Sequence, residues 1–378
     1  MIIGVARVMA AGQDVAPGHV VVEGERIVRI GSGIPPGAEH VFPRGALVPG
    51  FIDLQVNGAA GVDLLDCDPA GVERVSAHLA STGTTGFLPT LITAPLERIA
   101  GALGVIRRAR PAGAAILGVH IEGPALSAER RGAHDAGLLR QPGDPDLRRL
   151  YESAAPDLRL VTLAPELPGA LELIAWLAAR GVTVSLGHSN ADYGRAAEAL
   201  RQGARMATHL FNGMRSLHHR EPGVVGAVLD DPHCICGVIA DGHHVHPAVI
   251  RLVWRGVGAG RLAVVTDATA PAGMPPGEYH VMGRVVRVDA QGPPRLPDGT
   301  FMGTALRMDE AVRNLVSWGV PLRDAVGCAT AVPARVLGLT DRGELAEGLR
   351  ADLCVLGEDG RAVLTVVDGR TVFARPAT

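Results

Sequence analysis

The sequence predicts an α/β protein: a (β/α)8 barrel of the TIM type, with a small β-sandwich domain built from both chain ends. Three observations carry this reading. Between residues 46 and 339, short runs rich in β-branched residues alternate with amphipathic helical segments, the signature of repeated β-α units. Both ends share another texture, short β-like runs cut by Gly and Pro. Finally, histidines and carboxylates fall immediately after the apolar runs of the middle region, where α/β barrels carry their chemistry.

In chain order, residues 1–45 hold β-like runs at 2–3, 20–22 and 26–30, and residues 340–378 hold runs at 352–356, 363–367 and 371–373. The expected domain limits are therefore 1–45 with 340–378 for the β domain and 46–339 for the barrel. Eight strand candidates fill the middle: 46–54, 85–91, 115–121, 159–163, 182–186, 205–208, 235–240 and 262–266. Helical segments such as 70–81, 169–180, 194–202 and 309–318 stand between or after them. A doubly wound open sheet is the competing architecture, but no Gly-x-Gly-x-x-Gly loop follows the first strand.

Composition narrows the function. The chain has 378 residues, 47% of them hydrophobic and 20% charged, so it can bury a full core. Mean hydropathy is +0.21. No apolar run approaches the ~18 residues of a membrane span, and Arg7 interrupts the N-terminus without a signal-peptide pattern. A soluble, cytoplasmic protein is expected, with no membrane partner. A net charge of -3 provides no basic field for nucleic acid. Five cysteines without a paired framework read as reduced thiols. The chain contains no lysine, which excludes a Schiff-base or lysine-base mechanism, a complete phosphate-loop motif and a carboxylated-lysine metal bridge.

The residues past the strands suggest a metal centre. His188 and His209 end consecutive β-α units, and Glu122 ends the third strand. A His2Glu set with an open position is catalytic zinc-type coordination. Asp267, past the eighth strand, is then the candidate base, able to take a proton from water and pass it to a leaving amine. The competing readings are a buried ion pair for Glu122 and a helix N-cap for Asp267.

Taken together, the segments Pro49-Gly50-Phe51-Ile52-Asp53, HIEGP, VTLAPE, GHSNA, THLFN, REPG, ADGHH and VTDATAPAG resemble the N-acetylglucosamine-6-phosphate deacetylase family of the amidohydrolase superfamily. The resemblance runs from residue 48 to 352, with the motifs in the family's order and spacing. It implies a homodimeric barrel enzyme that hydrolyses the acetamide of a small-molecule sugar phosphate. It also implies one divalent ion per chain: zinc, with iron, cobalt or manganese as alternatives. Glu122, His188 and His209 match the family's metal ligands, and Asp267 its acid/base. His134 matches a substrate-binding histidine and would help stabilise the oxyanion. Ala133, Asn212, Gly213, His244, Phe301, Met302 and Gly303 match substrate contacts. Arg220 matches a phosphate-binding arginine contributed to the partner's site.

One departure from the wider superfamily matters. Where many amidohydrolases place His-x-His after the first strand, this chain has Gln55 and Asn57. Amides are poor ligands beside imidazoles, so these are expected to be vestigial second-metal positions. Three rival readings stay open: the same chemistry on N-acetylgalactosamine 6-phosphate, another mononuclear amidohydrolase, or a silent barrel retained as a scaffold.

Overall fold

Eight parallel strands close into a barrel in the computed structural model, which describes residues 1–290 and 292–375. In order they are Phe51–Val56, Thr84–Ile92, Val119–Glu122, Leu158–Leu163, Thr183–Leu186, Met206–Ala207, Ile235–Ile239 and Leu262–Val265. All residues of the first and second strands are buried, as expected for a sheet covered by helices outside and packed side chains inside. The helices form for local reasons. In Pro69–Ala80, Asp68 caps the N-terminus through Gly71 N–H, and Val72, Val75 and Leu79 give the helix its buried stripe.

The barrel closes between its first and eighth strands. Asp267 N–H donates to the Gln55 carbonyl at 3.0 Å, and Asn57 N–H donates to the Ala268 carbonyl at 2.8 Å. This seam lies at the carboxyl ends of the strands and sets Gln55 and Asn57 beside Asp267.

The expected strand at 46–54 is two strands. His40–Pro49 belongs to the outer sheet and Phe51–Val56 to the barrel. Between them Gly50 donates its N–H to the Asp352 carbonyl, so the chain changes sheets within one residue. The expected strand at 115–121 is likewise divided, into Ala115–Ile116 and Val119–Glu122. Gly118 between them adopts φ +137°, which L side chains rarely reach.

Strands from both ends form one eight-stranded sheet around a separate core that includes Ile3, Val5, Val20, Ile27, Leu353 and Val366. The sheet folds back on itself: Ile27 N–H donates to Leu349 and Ala351 N–H to Glu25. Buried Asp309 ties this sheet to the barrel by accepting Ala362 N–H at 3.1 Å. Among the described residues, no helix is long and apolar enough to cross a membrane.

A hairpin that the sequence reading did not single out follows the eighth strand, pairing Gly277–Val281 with Arg284–Val288. Its two-residue turn, Met282-Gly283, has positive φ at both positions, the I′ form that suits strand twist. Val281 and Val286 pack with Ala270 and Met302 in a small core that forms one wall above the barrel mouth.

Candidate active site

A cavity of about 220 Å³ opens at the carboxyl end of the barrel. Glu122, His134, His188, His209, Asn212, Gly213, His244, Asp267, Phe301, Met302, Gly303, Ala133 and Asn57 all line it. Arg220 does not: it is exposed on the loop that precedes the helix Gly223–Asp230.

Glu122 is the centre of the site. Nε2 of His209 lies 3.0 Å from its Oε1, and Nε2 of His188 lies 3.3 Å from the same oxygen. All three side chains are buried. Burial alone would raise the Glu122 pKa, but hydrogen bonds from the two histidines hold it well below the usual carboxylate range. A third imidazole stands close by, since ligand atoms of Glu122, His134 and His188 lie within 4.8 Å of one another. The donor set is one carboxylate with neighbouring imidazoles, as divalent ions of the zinc type prefer.

His188 and His209 differ in how they are held. His188 Nδ1 donates to the Arg130 carbonyl at 2.9 Å, so the neutral tautomer that this bond selects is the one that would offer its Nε2 lone pair to an ion in place of the contact with Glu122. His209 Nδ1 is buried without a partner among the described residues. Both histidines, like Asp267, have positive φ, a conformation that costs on the order of 1–3 kcal/mol each and persists only where surrounding contacts enforce it. Gly213 permits one of those contacts: a Cβ there would stand 2.6 Å from His188 Nδ1.

Asp267 lies against two amides. Its Oδ1 accepts from Gln55 Nε2 at 3.0 Å and from Asn57 Nδ2 at 2.7 Å. Gln55 Nε2 also donates to Glu122 Oε2 at 3.1 Å. Gln55 thus turns an N–H group toward both carboxylates, and Asn57 turns one toward Asp267. Burial first, and then the Glu122 charge, push Asp267 up to about 7. Two buried carboxylates share one amide, Gln55, with two imidazoles against Glu122, and a cation among them would balance the negative charge. This supports the fit of a divalent ion to these residues.

The other cavity residues are also anchored. His134 Nδ1 meets Thr93 Oγ1 at 2.8 Å, and burial followed by the neighbouring His188 lowers the His134 pKa to about 3, so its ring is neutral. His244 donates through Nδ1 to Asp241 at 2.7 Å, and its ring centroid lies 4.8 Å from that of Phe301. The Arg295 guanidinium stacks on Phe301 at 4.3 Å. Gly303 allows its segment to pass close to Asp267, because a Cβ there would lie 2.6 Å from the Asp267 carbonyl. Asn212 uses its side-chain amide to donate back to the His209 carbonyl at 3.1 Å.

Sequence reasoning placed Asp241 past the seventh strand without giving it a role, and it passed over Thr93, Met282 and the Arg130 carbonyl. Asp241 had a signal, its place in ADGHH directly after the seventh strand. A backbone carbonyl leaves no signal in residue type, and Met282 enters the cavity only because the hairpin folds over it.

Comparison with known proteins agrees with this geometry. The sequence profile of the Amidohydrolase family matches residues 46–372. The chain is 39% identical over 332 residues to N-acetylglucosamine-6-phosphate deacetylase of Vibrio furnissii, covering 86% of this chain and 83% of that protein. It is 41% identical over 316 residues to N-acetylgalactosamine-6-phosphate deacetylase of Escherichia coli O157:H7, covering 82% and 83%. A mutant N-acetyl-D-glucosamine-6-phosphate deacetylase from Mycobacterium smegmatis, solved in complex with N-acetyl-D-glucosamine-6-phosphate, superposes with a TM-score of 0.93 at 34% identity, covering 99% of each chain.

Proposed function

This chain belongs to the amidohydrolase family, and from that premise we propose that it is a metal-dependent deacetylase that converts N-acetyl-D-glucosamine 6-phosphate to D-glucosamine 6-phosphate and acetate. The observation that carries the reading is the convergence of two imidazoles on Glu122 with Asp267 beside it, inside one cavity.

Glu122, His188 and His209 would hold one divalent ion, with zinc best suited to the donors and iron, cobalt or manganese also compatible. When bound, the ion supplies Lewis acidity that makes water more acidic and polarises the acetyl carbonyl. Asp267 is the acid/base. Two amides occupy its Oδ1, which leaves Oδ2 to take a proton from the attacking water and return it to the sugar nitrogen. His134 Nδ1 is paired with Thr93 Oγ1; in the tautomer where Thr93 donates, the His134 proton sits on Nε2 and would be directed at the developing oxyanion. Ala133, Asn212, Gly213, Phe301, Met302 and Gly303 shape the sugar site, and His244, oriented by Asp241, binds the phosphate. Remote phosphate binding positions the acetamide for attack.

Acetate release tests the proposal directly. The 6-phosphate is expected to react with a kcat/KM at least about a hundredfold above that of unphosphorylated N-acetylglucosamine, since charge-assisted phosphate contacts would be lost. Equal efficiency on the two sugars would remove the phosphate anchor. The E. coli relative favours a second reading, the C4 epimer N-acetylgalactosamine 6-phosphate. The same assay on both epimers decides between them.

Arg220 is assigned to a second copy of the chain, with the enzyme a homodimer. Its exposure on a surface loop, outside the cavity of its own chain, supports this. Its planar fork suits two phosphate oxygens. When Arg220→Ala and Asp267→Asn chains are dissociated and re-formed at random, about half the dimers are mixed, and each mixed dimer has one intact site. Activity is then expected to recover to about a quarter of wild type. No recovery, with mixed dimers verified by native mass spectrometry, would place Arg220 in its own chain's site.

A further inference from the structure

The segment VTLAPE ends in Glu166, three residues past the fourth strand, and no step of the proposed reaction uses it. Its carboxylate is nevertheless fully engaged. Oε2 accepts from Ser189 Oγ at 2.8 Å, and Oε1 accepts from Asn190 N–H at 2.5 Å. These are the two residues directly after His188. Beyond them, the Asn190 side chain accepts from Arg130 Nε at 3.0 Å and donates to Glu129. The Arg130 carbonyl in turn receives the His188 Nδ1 proton. The loop that holds His188 in its positive-φ conformation is therefore clasped on one side by Glu166 and on the other by the residue pair that orients the ring.

We infer that Glu166 is a positioning residue for the metal centre, holding the loop so that His188 presents Nε2 beside Glu122. The inference rests on the reading of His188 as a ligand. Partners of this kind matter because a ligand held in one rotamer and tautomer loses less freedom when the ion binds. Glutamine would keep the bond from Asn190 N–H through its oxygen, but its NH2 would face Ser189 Oγ as a donor, so the serine hydroxyl would have to turn and accept.

The test uses Co²⁺ alone as the probe on wild type, Glu166→Ala, Ser189→Ala and the double variant. Chelator competition gives Kd, and the Co²⁺ visible absorption spectrum reports the coordination. Glu166→Ala is expected to weaken Co²⁺ binding by about 10- to 100-fold and to alter the spectrum. Ser189→Ala should have a smaller effect, and the double variant should fall short of the product of the two. With excess metal, kcat should be largely restored at an unchanged KM for substrate. If Glu166 merely braces a surface loop, the variants unfold at lower urea but bind Co²⁺ with wild-type Kd and spectrum, and the inference fails. Should Glu166→Ala not fold, Ser189→Ala alone decides: unchanged Kd and spectrum overturn the inference, and weakened binding upholds it. A wild type that binds no Co²⁺ would overturn the metal reading itself, and this inference with it.

Discussion

Replacing Asp267 by Asn is expected to lower kcat by at least about a hundredfold while the divalent ion stays bound, because proton transfer to and from the reacting atoms is lost. The substitution nearly preserves shape. An asparagine carbonyl can still accept from Gln55 and Asn57, as Oδ1 does now, so the fold around the site should survive. The pH dependence gives a second readout. Burial and the Glu122 charge hold Asp267 at about 7, and a cation in the site would draw that value down. A base must be deprotonated to act, so kcat/KM should rise with pH through the Asp267 pKa and flatten above it. The variant should lack this acidic limb. Near wild-type turnover with the ion retained, or an acidic limb that persists in the variant, would take Asp267 out of the mechanism.

Removing the ion should be at least as damaging. Lewis-acid stabilisation of several kcal/mol corresponds, at about 1.4 kcal/mol per tenfold, to a loss of roughly a thousandfold. Chelation is expected to abolish acetate release, and one equivalent of divalent ion per chain is expected to restore it. Glu122→Gln should behave like the chelated enzyme, because it removes the anion on which the His188 and His209 imidazoles converge. Elemental analysis after gel filtration should find a single ion. Gln55 and Asn57 already direct their N–H groups at Glu122 and Asp267, and a second ion beside those carboxylates would meet donors where it needs lone pairs. Two equivalents that resist mild chelation would show that these amides turn over to serve as ligands.

The residues proposed to do the chemistry were legible to different degrees. Glu122, His188, His209 and Asp267 could be named because each ends a recognisable apolar run, and strand ends in such barrels face one mouth. His134, by contrast, sits in a loop between two short 3-10 turns, where no periodicity announces it. It was found only through the family resemblance, and its Thr93 partner was not found at all. Gln55 and Asn57 could be located but not oriented: the same two amides could turn oxygen or nitrogen toward a neighbour, and only the neighbour decides which.

By itself the sequence determined what local pattern encodes: the alternation of strands and helices, the β texture shared by the two ends, and the polar residues that close each strand. These follow from side-chain periodicity, β-branching and capping, which act within a few residues. The tertiary structure alone decided the rest. Barrel closure joins residues about 210 apart and sets two amides on one oxygen of Asp267, leaving the other free. The folded hairpin brings Met282 over the cavity, and the Glu166 clasp aligns His188 across three separate loops. Arg220, from the same kind of loop, is left outside. Such contacts depend on where distant strands and loops meet, and no local periodicity carries that information.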